Sequence, residues 1–263
     1  VKTLILREHP DVLLVGSSRR PKGANLTLEQ VSCKVSRLLD LPIVMVLDYW
    51  GYYQERFDDP DTGQINAFVP DHICVMDALA VRDLVSRGIP EEAITVTGNP
   101  YYDDIAIDLT KTTHAHREKI IPNSLNVLYQ SQPILEDFGT VIDNGSLGYT
   151  QHSAFQDIVN VLTDCGLTDL NLTVRKHLRE KTDRQWEATL EAYSNYPRIG
   201  PHFELQSNKE IDLTQFDLII SHFSTTLFEA IYRVIPTVSY QPGQNASDTF
   251  ITNKLGLSLP AYD

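Results

Sequence analysis

The sequence predicts an α/β protein of two domains, each a parallel sheet wound with helices. Three observations carry this prediction. Short Val- and Ile-rich runs alternate with segments of helical period, the pattern of βαβ units. That rhythm breaks once, at the polar stretch TKTTHAHREKIIP (residues 110–122), which places the boundary between domains 1–112 and 113–263. A chain of 263 residues, 42% hydrophobic, is long enough to bury two cores.

The elements follow in order. Residues 12–15 form the first strand. A helix comes next, opened by the capping box Thr27-x-x-Gln30, with Leu28, Val31, Val35 and Leu38 along one face. The strand 43–47 leads into a long aromatic and acidic loop. The strand 73–76 precedes a helix capped by Asp77 and stopped by Gly88 and Pro90, and the strand 94–97 closes the series. In the second series the strand 127–129 runs through a long loop into a helix with Phe155, Ile158, Val159 and Leu162 on one face. The strand 172–174, a helix over 185–193, the strand 218–220 with its own helix, and a last strand at 237–240 complete the chain.

Composition excludes some functions. A formal net charge of −13 argues against nonspecific nucleic-acid binding, which needs clustered Lys and Arg. No apolar run reaches the roughly 20 residues of a bilayer-spanning helix, and VKTLILREHP is too short in apolar length for a secretory signal. Cys33, Cys74 and Cys165 are widely spaced in apolar segments, as expected of reduced core thiols and a cytoplasmic protein. No Asp/Asp or Cys/His spacing suggests a metal site, apart from Asp103-Asp104.

In such sheets ligands collect at the carboxyl ends of strands, so the loops after strands are the informative ones. IISHFSTTLFEA (219–230) passes from a strand through a row of hydroxyls into a helix. A helix start with free N–H groups and hydroxyls at Ser221, Ser224, Thr225 and Thr226 suits a phosphate. The same residues also read as structure alone, because Thr226-x-x-Glu229 is a capping box. LTVRKHLREK (172–181) concentrates Arg175, Lys176, His177, Arg179 and Lys181 after another strand, and the two loops together would clamp a diphosphate. In the first domain Asp48 ends a strand and is the candidate catalytic base, with Trp50, Tyr52 and Tyr53 beside it as stacking surface for an acceptor. Glu136 and Asp137, in the long loop 131–150, are alternative bases.

VTGNPYYDD (96–104), preceded by DHICVMDALAVRDLVSRGIPEEAI, resembles the end of the first domain of UDP-N-acetylglucosamine 2-epimerases and related GT-B glycosyltransferases. FDLIISHFSTTLFEAIYRVIPTVSYQPG (216–243) resembles their nucleotide-diphosphate segment. The resemblance implies two Rossmann-like domains facing an interdomain cleft. It also implies a truncated N-terminal domain, since family members begin with further βα units and end with helices beyond the position of Tyr240. It implies that Ser224, Thr225 and Thr226 meet the phosphates and that Glu229 bonds the ribose. His177 is similar to the histidine of a His-Pro motif that contacts the donor phosphate, although Leu178 stands in place of the proline.

The epimerase pattern has a Gly-Asp-Thr stretch where this chain has Gly16-Ser17-Ser18, and a His-Arg-Arg-Glu-Asn run where it has Gln130-Ser131-Gln132-Pro133. Loss of those acid, base and cationic groups favours sugar transfer over epimerisation. The expectation is a metal-independent glycosyltransferase using a nucleotide-sugar donor as substrate, with no cofactor and an acceptor of unspecified chemistry. Its alternatives are a 2-epimerase-like enzyme, a cytidine-nucleotide-dependent sialyl or polyol-phosphate transferase, and an inactive GT-B-like binding protein. Homo-oligomerisation is left open.

Overall fold

The structure, a computed structural model, describes residues 1–20, 23–111, 124–139, 147–165, 169–180, 183–193, 204–206, 211–243 and 251–262. The predicted boundary at 112/113 and Lys181 lie outside or at the edge of these residues. Two compact units, Val1–Asp103 and Asp104–Asp263, each carry a parallel sheet.

The first unit runs α1 (Lys2–Glu8), β1 (Leu13–Val15), α2 (Leu28–Leu39), β2 (Ile43–Val46), α3 (Tyr53–Phe57), β3 (His72–Val75), α4 (Ala78–Ser86) and β4 (Ile94–Val96), and ends inside α5 (Pro100–Lys111). Its strands lie in the order β1-β2-β3-β4, all parallel. Each connection therefore steps to the next strand in the same direction. Ile43, Met45, Ile73 and Val75 are buried on one face, whereas Leu14 and Val46 on the other are exposed.

The α2 start forms as its sequence predicts. Thr27 Oγ1 accepts from Gln30 N–H, and Gln30 Oε1 accepts from Thr27 N–H. The buried face differs from the expected one. Val35 is buried as expected, but Leu28 and Leu38 are exposed, and Gln30, Ser32, Cys33 and Ser36 are buried beside Val35. The polar members of that face are accommodated because their groups are paired. Ser32 Oγ donates to Leu28 O, Ser36 Oγ donates to Cys33 O, and Gln30 Nε2 donates to Glu55 O and Arg56 O. Thr27→Ala is expected to lower the stability of this unit by about 1 kcal/mol in urea denaturation. Asp77 Oδ1 caps α4 through Ala80 N–H, and Gly88, at φ 84°, ends that helix in a conformation that suits glycine.

The second unit contains β5 (Ser124–Gln130), α6 (Ile134–Phe138), α7 (Gln151–Asp164), β6 (Asp169–Arg175), α8 (Asp183–Tyr193), β7 (Glu204–Gln206), β8 (Leu218–Ser221), α9 (Thr226–Tyr232), β9 (Thr237–Tyr240), α10 (Ile251–Lys254) and β10 (Leu259–Ala261). The strand order is β10-β9-β8-β5-β6-β7, all parallel. Strand 237–240 is not the last, as β10 pairs beyond it with Leu259 opposite Val238. A three-residue strand with a central proline gives almost no periodic signal, and proline is tolerated at a sheet edge. The core lies under β5 and β6, where Val127, Tyr129, Phe155, Val159, Leu172, Val174 and Trp186 are buried together. Phe155, Ile158, Val159 and Leu162 form the buried face of α7 as expected.

The three cysteines are free, but only Cys33 is buried. Cys74 is half-buried and Cys165 exposed, so only one behaves as a core thiol, and burial pushes the Cys33 thiol up to about 11. Among the described residues no helix is long and apolar enough to cross a membrane.

Candidate functional site

The second sheet has a topological switch point. From β5 the chain moves outward through β6 to β7, then returns to the other side of β5 and moves outward through β8, β9 and β10. At such a point the connections on either side diverge and leave a crevice at the carboxyl edge of the strands. Gln130, the last residue of β5, is in register with Arg175 on one side and Ser221 on the other. With neighbouring strands about 5 Å apart, the cationic loop after β6 and the hydroxyl loop after β8 begin about 10 Å from each other.

Buried polar groups form the floor of this edge. Ser221 Oγ donates to Gln130 O at 2.7 Å, and Ser131 N–H donates to Arg175 O at 3.0 Å. Gln130 Nε2 donates to Ser131 O and Arg175 O, and its Oε1 faces Arg175 Nη1 at 3.4 Å. His222, fully buried, sits at the end of β8. Its Nδ1 is 2.6 Å from Tyr240 O and its Nε2 is 2.7 Å from the Tyr129 hydroxyl. A carbonyl only accepts, so Nδ1 carries a proton, and the Tyr129 hydroxyl lies between Nε2 and Gln151 O, to which it donates at 2.9 Å. Burial holds this imidazole neutral and pushes its pKa down to about 4. The His222 carbonyl also accepts from Ser239 Oγ at 2.6 Å and Gln241 Nε2 at 3.3 Å, which ties the loop after β8 to β9.

The predicted ligand residues fall into distinct situations. Ser224 is buried and its Oγ accepts from Thr226 N–H at 3.2 Å. Thr226 is buried at the first position of α9, a helix of seven residues. The expected capping box at Thr226 does not form, since Thr226 lies inside the helix and Thr225, the N-cap, makes no side-chain cap bond. Thr225 is exposed, and Glu229 lies half-buried one turn into α9. Arg179 is exposed and pairs with both oxygens of Asp137, at 2.7 and 2.9 Å. Glu136 Oε2 accepts from Gln151 Nε2 at 3.0 Å. The two carboxylates read as alternative bases therefore brace the loop after β5. Arg175 and His177 are half-buried beside them, and burial and then the Arg179 charge lower the His177 pKa.

In the first unit Asp48 follows β2. Its Oδ1 accepts from Ser17 Oγ at 2.6 Å and lies 3.4 Å from Arg56 Nη1, and its own N–H donates to Ser17 Oγ at 3.2 Å. Arg56 is buried and also donates to Ser17 O. Burial pulls the Arg56 pKa down, and Asp48 is the leading opposing influence. The Asp48 side chain remains 75% exposed. A carboxylate held by one oxygen and open to solvent at the other can take a proton from a hydroxyl.

The neighbouring aromatics divide. Trp50 is buried with Nε1 donating to Asp77, and Tyr53 is buried against Phe57. These two belong to the core, not to a stacking surface, because their rings fill the space under the loop. Tyr52 is half-buried, stacks on Tyr49 at 5.9 Å and carries the Arg19 guanidinium 4.4 Å from its ring centre.

No family profile matches the chain, and no curated protein matches it. Solved structures do. The chain is similar to a UDP-GlcNAc 2-epimerase from Methanocaldococcus jannaschii in complex with UDP-GlcNAc and UDP, with a TM-score of 0.57 at 14% identity over 99% of this chain and 67% of that one. It is also similar to the UDP-GlcNAc 2-epimerase from Neisseria meningitidis bound to UDP-GlcNAc, with a TM-score of 0.57 at 14% identity over 90% and 61%. The S. aureus MnaA–UDP co-structure gives 0.52 at 18% identity over 90% and 59%. The likeness is one of fold, shared with these UDP-GlcNAc 2-epimerase structures. The chain spans about three-fifths to two-thirds of the length of those structures.

Sequence reasoning did not assign Tyr129, His222, Glu180 or Trp186 to the site. His222 stood inside the quoted hydroxyl row, and a histidine directly after an apolar strand was the only signal it gave.

Proposed function

We propose that this chain is a GT-B-type glycosyltransferase that moves a sugar from a nucleotide-diphosphate donor to an acceptor hydroxyl without a bound metal. One observation supports it most. The loops after β6 and β8 flank the end of β5 at the switch point, with Arg175 and Ser221 in register on either side of Gln130. In this reading Arg175, His177, Thr225 and the amides of residues 224 and 225 hold the diphosphate, and Glu229 bonds the ribose. The charge that develops on the departing diphosphate is met by fixed donors. Arg179, already paired with Asp137, contributes to the local potential and braces the loop. Asp48 takes the acceptor proton.

The test is product analysis. UDP-, GDP-, CMP-, CDP- and dTDP-sugars are incubated with and without a panel of acceptor glycans, in the presence of a chelator. The expected result is nucleotide release that depends on acceptor, is indifferent to the chelator, and drops at least a hundredfold in Asp48→Asn. A second reading, 2-epimerisation, is favoured by the names of the similar solved structures. It requires a changed sugar in the absence of any acceptor, and that product would replace the transferase reading.

A further inference from the structure

Glu180 is a buried carboxylate that the proposed reaction does not use. It is 4% exposed, and both of its oxygens are occupied by donors. Oε1 accepts from His177 N–H at 2.7 Å, and Oε2 accepts from Nε1 of the fully buried Trp186 at 2.6 Å. Glu180 N–H donates in turn to His177 O at 3.0 Å, so the turn 177–180 is closed from both ends. Within the turn, Arg179 N–H donates to His177 Nδ1 at 3.2 Å. An amide N–H can only donate, so Nδ1 keeps its lone pair and the proton of the neutral ring resides on Nε2. Among the described residues that Nε2–H has no acceptor.

Burying a carboxylate is costly unless donors converge on it. Here two do, and a neutral amide of the same length offers one acceptor oxygen for two donors. The charge is thus matched to the turn that sets the His177 tautomer. We propose that Glu180 is a positioning residue: it holds the 177–180 turn so that His177 offers its Nε2–H to an anionic oxygen of a nucleotide diphosphate at the β5–β6–β8 edge. This rests on the reading of that edge as the diphosphate site.

The test combines imidazole 15N spectra with calorimetric titration of UDP, CDP, GDP and dTDP. The wild-type protein shows His177 as the Nε2–H tautomer and binds at least one of the four. Glu180→Gln gives a mixture of tautomers and about tenfold weaker binding of that nucleotide. His177→Ala loses as much, and the double variant loses no more, because the two residues act as one unit. In Glu180→Gln/Trp186→Phe the surplus donor is removed together with the second acceptor, and tautomer and affinity recover. This double variant also keeps the question answerable if Glu180→Gln alone folds poorly. Unchanged tautomer and affinity in Glu180→Gln overturn the positioning role while leaving the site reading intact. A wild-type protein that binds none of the four overturns both.

Discussion

Trp186→Ala is expected to destabilise the second unit by about 3–5 kcal/mol, the largest loss from any single truncation proposed for it. Trp186 is fully buried and packs among Tyr129, Phe155 and His152, with ring centres 6.1, 5.5 and 4.5 Å away. Removing the indole empties that space and strips Glu180 Oε2 of its donor, which leaves a buried carboxylate short of a partner. Trp186→Phe fills most of the volume and isolates the hydrogen bond, for which a loss of about 1–3 kcal/mol is expected. Urea denaturation followed by tyrosine and tryptophan emission reads both. A loss under about 1 kcal/mol in Trp186→Ala would show that α8 does not close this core.

Acidification is expected to remove about 3 kcal/mol from the same unit through His222. Its folded pKa, about 4, lies below the ordinary histidine value of 6.5, so the folded state binds fewer protons than the unfolded chain. The contribution is fully present above pH 6.5 and is lost as pH falls toward 4. The ring is fully buried, and the cost of placing a charge there outweighs the bond from Nδ1 to Tyr240 O, which favours the protonated form. His152 and His177, whose pKa values are also lowered, chiefly by burial, act in the same direction. Glu180 opposes them, since burial raises its pKa and its effect favours the folded state at low pH. Comparing unfolding free energies at pH 7 and pH 4.5 in the wild type and in His222→Gln separates the contribution. The wild type is expected to lose about 2–3 kcal/mol more than the variant, and equal losses would remove His222 from the account.

Much of the scaffold was legible because it rests on local patterns. The alternation of Val- and Ile-rich runs with helical periods marks strands such as β2, β8 and β9, and caps such as Thr27 and Asp77 fix helix starts through bonds three residues long. Misreadings occur where the deciding interaction is distant in sequence or the signal is short. The α2 face depends on Gln30 reaching the carbonyls of residues 55 and 56. β10 is three residues with a proline. Trp50 and Tyr53 resemble an exposed aromatic run until the loop folds over them.

The site shows the same division. The cationic and hydroxyl loops could be picked out because strand ends are where α/β sheets bind. Their adjacency follows from strand order, which sequence does not print. The contact between Tyr129 and His222 joins residues 93 positions apart, and no local pattern foretells it. The pairing of Arg179 with Asp137, 42 positions away, likewise removes from the ligand set a cation that sequence alone leaves available.

The most direct test is to locate nucleotide on the protein. Amide spectra of 15N-labelled protein are recorded during titration with UDP, CDP, GDP and dTDP. The account predicts saturable shifts, for at least one of them, that concentrate in residues 130–132, 175–180 and 221–226 and weaken in His177→Ala/Thr225→Ala. Shifts confined to other parts of the chain, or none with any of the four, would contradict it.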